Sequence, residues 1–295
     1  MNYRLVLGGP RNPHWLYLLF YLIEGKAAAT FVTLAGVGIA LMTRRWTEET
    51  ITYYRKKILR RALFLFVVGL LYSPIWPADI LHFYGLYMVV GAFVFHLSGV
   101  GLLLLATFFT WGFAFLVILF DYSEGWNFET LEYADFWTVK GMIRHLFFNG
   151  FHPVFPWVAF LLVGLWLGRK DLFNKKTRVR VLVLGVILVA ISSAVSVVGN
   201  ELGGDWVYIL GTQPLPPFPF FIVIGIGTAF IVITLCFWLN EWFGDLEWLA
   251  ETGQLSLTNY VLHVIVGLGI LFGLGVTKKP LCGLYYGILL GFSSS

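Results

Sequence analysis

Charge is what this chain is short of: only 12% of its 295 residues are charged, while 59% are hydrophobic and the mean hydropathy is +0.81. Soluble domains carry about 25% charged residues, so an ordinary soluble domain is excluded and an integral membrane protein is implied. Cysteine is nearly missing. Cys236 and Cys282 both lie in apolar runs, so neither a disulfide framework nor a thiolate metal site is suggested. There is no HxxxH or HExxH spacing to suggest zinc, and no GxSxG elbow to suggest a serine hydrolase. No metal is therefore expected. The opening "MNYRLVLGGPRNPHW" lacks the apolar core of a signal peptide, so targeting is expected to rest on the spans themselves.

What the chain has instead is long apolar runs. Nine are read as spans, at about 24–42, 58–72, 80–96, 99–120, 155–168, 181–198, 219–239, 256–274 and 281–292. They are continuous rather than alternating, which selects helices over a barrel. The expected fold is an all-α polytopic bundle, one integral membrane domain over 1–295. Basic residues gather in two predicted loops: Arg44, Arg45, Arg55, Lys56, Lys57, Arg60 and Arg61 in one, and the 169–180 group in the other. Parity puts both on one side, and the positive-inside rule makes that side cytoplasmic. A prokaryotic plasma membrane is the expected location. The segregation of basic residues into loops argues against nucleic acid as a partner; the lipid bilayer is the expected one, and homo-oligomerisation is left open. The aromatic outer loop at 121–154 predicts a short interfacial helix around 135–148.

Few ionisable residues fall inside or at the mouth of these runs: Glu24, Lys26, Asp79, His82, His96 and His263. Such groups are costly in a bilayer and mark function by default. In "PADILHFYGLYMVVGA" Asp79 and His82 stand three apart, so one helix face holds both. A carboxylate beside an imidazole sets its tautomer and raises its basicity. Equally, Asp79 can cap the helix through the N–H of Leu81 or His82, and His82 can bond a neighbouring carbonyl. His14, His145 and His152 fall on the same outer side as this pair. His14 also reads as an interfacial anchor beside Trp15, and His96 as a helix-end residue. Gly36 and Gly38 are expected to let helices approach closely. The run "YRKKILRR" fits simple topology, or a cytoplasmic mouth that attracts a phosphate-bearing substrate.

The segments "IEGKAAATFVTLAGVG", "FVTLAGVGIALMTRR", "RRALFLFVVGLLY", "DILHFYGLYMVVG", "HPVFPWVAFLLVGLWLGR" and "ETGQLSLTNYVLH" occur in an order that resembles the heparan-α-glucosaminide N-acetyltransferase-like family and the related YeiB-type membrane proteins. The resemblance covers roughly residues 14–275. It implies an enzyme that moves an acyl group, acetyl above all, from cytoplasmic acetyl-CoA to a small-molecule or glycan hydroxyl or amine on the far side. It places the family's catalytic histidine at His14, and it implies a further helix upstream of the point where this chain begins. The catalytic candidates are then His82, Asp79 and His14. Asn259 and His263 in "SLTNYVLH", with His152 and Trp157 in "HPVFPW", are expected to bind the acceptor. Arg44, Lys57, Arg60 and Arg61 are expected to hold the phosphates of acetyl-CoA. Gln254 stands where Arg is common in the family. A transporter whose polar residues line a through-path, and an inactive scaffold, are the alternatives.

Overall fold

In a computed structural model the described residues are 25–128, 132–244 and 246–273. The predicted run at 281–292, together with Glu24 and His14, lies outside them. Helices α1 (Lys26–Met42), α2 (Ile51–Tyr72), α3 (Leu81–Val94) and α4 (Gly99–Leu119) come first. A two-residue hairpin follows, β1 (Trp126–Asn127) paired antiparallel with β2 (Glu132–Tyr133). Then come α5 (Val139–Arg144), which continues through a π-helical turn at His145–Asn149, and α6 (Val154–Leu167). Helices α7 (Lys175–Leu202), α8 (Trp206–Ile209), α9 (Pro219–Phe243), α10 (Glu247–Gln254) and α11 (Ser256–Gly273) complete the order. The architecture is all-α. Among the described residues α4, α7 and α9 are long and apolar enough to cross a bilayer, and a fourth span is obtained if α5 and α6, bent by 50° at their break, are counted as one. Helices α1 and α3 are shorter, as is the apolar part of α11. Nine crossings are therefore not established; three or four candidate spans are.

Local chemistry explains the boundaries. Ser98 Oγ accepts from the N–H of Gly101 to start α4, and Asn174 Oδ1 accepts from that of Lys176 to start α7. Pro219 opens α9, where its missing N–H costs nothing. Pro156 holds Phe155 out of helical geometry (φ −87°, ψ 117°), kinking the first turn of α6. Two basic stretches predicted as loop are helical: α2 begins seven residues before the predicted run at 58 and carries Arg55 to Arg61, and α7 carries Lys175 to Arg180. Lys and Arg are good helix formers whose long stems reach water from a helix end. Arg178 is 1% exposed and bonds Glu241 on α9.

The most buried helix is α6, with Trp157 to Leu162 all inaccessible. An all-round apolar helix of this kind is a core element. Helices α1, α3, α4 and α9 pack around it, α2 pairs with α3, and α7 pairs with α9. The outer faces stay apolar: Phe108, Trp111, Phe115 and Ile118 of α4 are all more than half exposed, as lipid-facing side chains are. One end of the bundle is basic, where Arg169 donates to the carbonyls of Phe95 and Leu97 and Trp46 packs on Phe95. The other end carries residues 121–128, 132–153 and 203–218, joined where Phe218 meets Phe113 and where Phe113 meets Phe148. Both basic stretches share the first end.

The closest helix crossing is between α1 and α6. A Cβ on Gly36 would lie 2.1 Å from the Leu161 carbonyl oxygen, and one on Gly164 would lie 2.0 Å from that of Thr33. A Cβ on Gly38, by contrast, meets nothing within 4 Å. The expectation of close approach thus holds at Gly36 and not at Gly38. Gly36→Ala is expected to destabilise the bundle by about 1–3 kcal/mol, the cost of overpacking a core, while Gly38→Ala leaves the melting temperature within error or raises it. Thermal unfolding of the two purified variants checks this.

Candidate functional site

At the end of the bundle away from the basic residues, the chain turns at Pro77-Ala78 and enters α3. Asp79 and His82 are both 0% exposed, and His82 Nδ1 lies 3.1 Å from Asp79 Oδ2. The same oxygen accepts from the backbone N–H of Leu81 at 2.8 Å and of His82 at 3.4 Å. Capping and pairing therefore coexist in one carboxylate. The other oxygen, Oδ1, accepts from Tyr260 Oη at 3.2 Å, and Tyr260 Oη accepts from the N–H of Ile80 at 3.4 Å. A buried charge is tolerated when donors surround it, and this one has donors on both oxygens. With Asp79 ionised, Nδ1 of His82 carries the proton. Nε2 is then a lone pair, buried and without a partner.

Two further imidazoles lie close by. The ring of His145 stacks 6.1 Å from that of His82, with Phe83 5.2 Å from His145 and 5.9 Å from His152. His152 meets Trp157 edge-on at 4.5 Å. His145 Nδ1, His152 Nδ1 and Trp157 Nε1 are buried without hydrogen-bond partners. Buried polar groups are nearly always paired, so these three atoms, with His82 Nε2 itself, single out this cluster as the candidate site. Among the described residues no group of three or more His, Cys, Asp or Glu is arranged to hold a metal ion.

Residues 121–128 and 132–153 form the cover. Asn149, fully buried, donates to the carbonyls of Tyr122 (2.9 Å) and Glu124 (2.8 Å) and accepts from Tyr133 Oη (2.7 Å). Arg144 grips Asp135 with two bonds at 2.7 and 2.8 Å and reaches Tyr133 and Glu124. Burial lifts the Tyr133 phenol above its ordinary range, against the pull of Arg144. Tyr87 Oη donates to the His152 carbonyl and fixes the turn before α6. The predicted interfacial helix is thus a bent element whose π turn buries His145, Leu146, Phe148 and Asn149. The pair lies beneath it, with Phe136 and His145 against the His82 ring.

The predicted residues separate into groups. Asp79, His82, His152 and Trp157 come together. Asn259 and His263 are exposed on α11, Asn259 reaching the Thr252 carbonyl at 3.4 Å, and it is their neighbour Tyr260 that enters the site. Arg44, Lys57, Arg60 and Arg61 are exposed toward the basic end. Gly69, eight residues along α2 from Arg61, abuts His82, which puts Arg61 about 12 Å below the level of His82 at 1.5 Å per residue. His145, Tyr260 and Asn149 were not singled out as site residues. Helical spacing does not reveal them: the turn that carries His145 and Asn149 is π-helical and ends at Asn149, so His152 shares no helix face with them.

The apolar helical bundle is that of an integral membrane protein, and it encloses a carboxylate–imidazole pair with an unpartnered imidazole nitrogen. The family described as "Heparan-alpha-glucosaminide N-acetyltransferase, catalytic" matches residues 5–201, and one described as "Protein of unknown function (DUF418)" matches residues 167–294. The chain belongs to the heparan-alpha-glucosaminide N-acetyltransferase catalytic family. No curated protein and no solved structure matches it.

Proposed function

We propose that the chain is a membrane acyltransferase that moves an acetyl or other acyl group from acyl-CoA, supplied at the basic end, to a sugar or other hydroxyl or amine acceptor at the Asp79 end. The observation that carries this reading is the fully buried Asp79–His82 pair with its unpartnered Nε2; membership of the family supports it. His82 Nε2 takes the proton from the acceptor as its oxygen or nitrogen attacks the thioester carbon. The new C–O or C–N bond forms, the C–S bond breaks, and the imidazolium returns its proton to the departing thiolate. Asp79 holds the imidazole in the accepting tautomer. Trp157 Nε1–H, an unpaired donor in the same cluster, serves the developing oxyanion. Arg44, Lys57 and Arg60 attract the CoA phosphates on what is then the cytoplasmic side.

Reconstituted protein incubated with radiolabelled acetyl-CoA and extracted envelope glycans is expected to transfer label. No transfer and no release of CoA thiol by a well-folded sample would overturn the reading. His14, outside the described residues, is the second candidate base. His14→Ala assayed beside His82→Ala identifies which imidazole carries the reaction.

A further inference from the structure

A groove of about 510 Å3 runs between α1, α2, α3 and the junction of α10 with α11. Its walls are apolar, among them Ala35, Ile39, Leu65, Met88 and Leu257, and its charged lining residue is Arg61. Gly38 also lines it, and this is the glycine whose Cβ would meet open space. A glycine weakens a helix interior, and here no close helix crossing explains it. The missing side chain widens the groove instead. Arg61 forms no ion pair or hydrogen bond among the described residues, and Lys57 stands one turn behind it on the same face. Met42, the last residue of α1, marks the basic end of the groove, while Leu65 and Tyr84 lie deeper.

We propose that this groove is a binding site for one anionic phospholipid of the leaflet at the basic end, with its headgroup phosphate on Arg61 and one acyl chain lying along Gly38. Polarity and depth agree. An unmatched cation stands on the groove wall midway along α2, its long side chain able to reach toward the basic end, and apolar walls continue inward past Leu65, as a lipid lies in its own leaflet. The site is distinct from the Asp79–His82 cluster and does not depend on the acyltransferase reading. Gly38 sets the room available to the chain, and Arg61 sets the preference for a negative head. A juxtamembrane basic residue contributes about fivefold in affinity for an anionic lipid.

The test is native mass spectrometry of the full chain released from detergent, titrated with dioleoyl phosphatidylglycerol or dioleoyl phosphatidylcholine. The wild type is expected to retain one phosphatidylglycerol about fivefold more tightly than phosphatidylcholine. Arg61→Gln should abolish that preference, and Gly38→Leu should lose the bound lipid. Gly38→Ala, which adds a single methyl in open space, should keep it and shows that the helix tolerates a side chain there. Equal retention of the two lipids by the wild type would overturn the proposal, as would undiminished retention by Gly38→Leu. Displacement of the lipid by coenzyme A at matched concentration would also overturn it, assigning the groove to the acyl donor.

Discussion

His82→Ala is expected to lower acyl transfer by about 10²–10⁴-fold, the range that a positioned general base contributes, with the fold retained. The asymmetry follows from what each atom touches. Asp79 keeps three of its donors when the imidazole goes, namely the N–H groups of Leu81 and of residue 82 and the hydroxyl of Tyr260. The buried carboxylate is therefore not stranded, and the loss falls on the reaction. Asp79→Asn differs. It removes the charge that selects the Nδ1–H tautomer and weakens every one of those bonds, so activity and stability fall together. Initial rates with radiolabelled acetyl-CoA, read beside thermal unfolding of each variant, separate the two patterns. A variant without His82 that transfers at the wild-type rate would remove this imidazole from the mechanism and leave His14 as the base.

Sequence made the pair legible because i, i+3 spacing at the start of a helix is local information, and the carboxylate's double use as cap and partner was readable from the same three residues. Tyr260 was not readable. It reaches Asp79 across 181 positions, while Asn259 and His263 of the same motif stay exposed on α11. His145 was hidden by the π turn: an ordinary helix gives no reason to expect that turn to lie under Phe136 and over His82. Hydropathy located the apolar runs well. It placed the starts of α2 and α7 too late because their first turns are basic, and a hydropathy window reads charge as loop even where the backbone is helical. Gly36 and Gly38 look alike in sequence, yet one faces the carbonyls of α6 and the other faces a groove; only the position of the neighbouring helix tells them apart.

Asn149→Ala is expected to be the most damaging change in the cover over the site. The amide answers the carbonyls of Tyr122 and Glu124 and the hydroxyl of Tyr133 at once, and each buried group left unpaired costs about 1–3 kcal/mol. Tyr133 loses an acceptor for its O–H but is partly exposed to water, so the loss concentrates on the two carbonyls that hold the segment entering the hairpin. Asn149→Asp should be no better, because a carboxylate offers those carbonyls no donor. Lys140→Ala is the control: its partner Glu124 is half exposed and its own side chain is 81% exposed, where an ion pair contributes little. Limited proteolysis between residues 121 and 149 should accelerate in the Asn149 variants and stay unchanged in Lys140→Ala. Transfer should fall in step with that exposure, since water then reaches His82 and His145. In His82→Ala the cover stays closed and only the chemistry is lost, so the two variants divide the site into the group that reacts and the segment that keeps it dry.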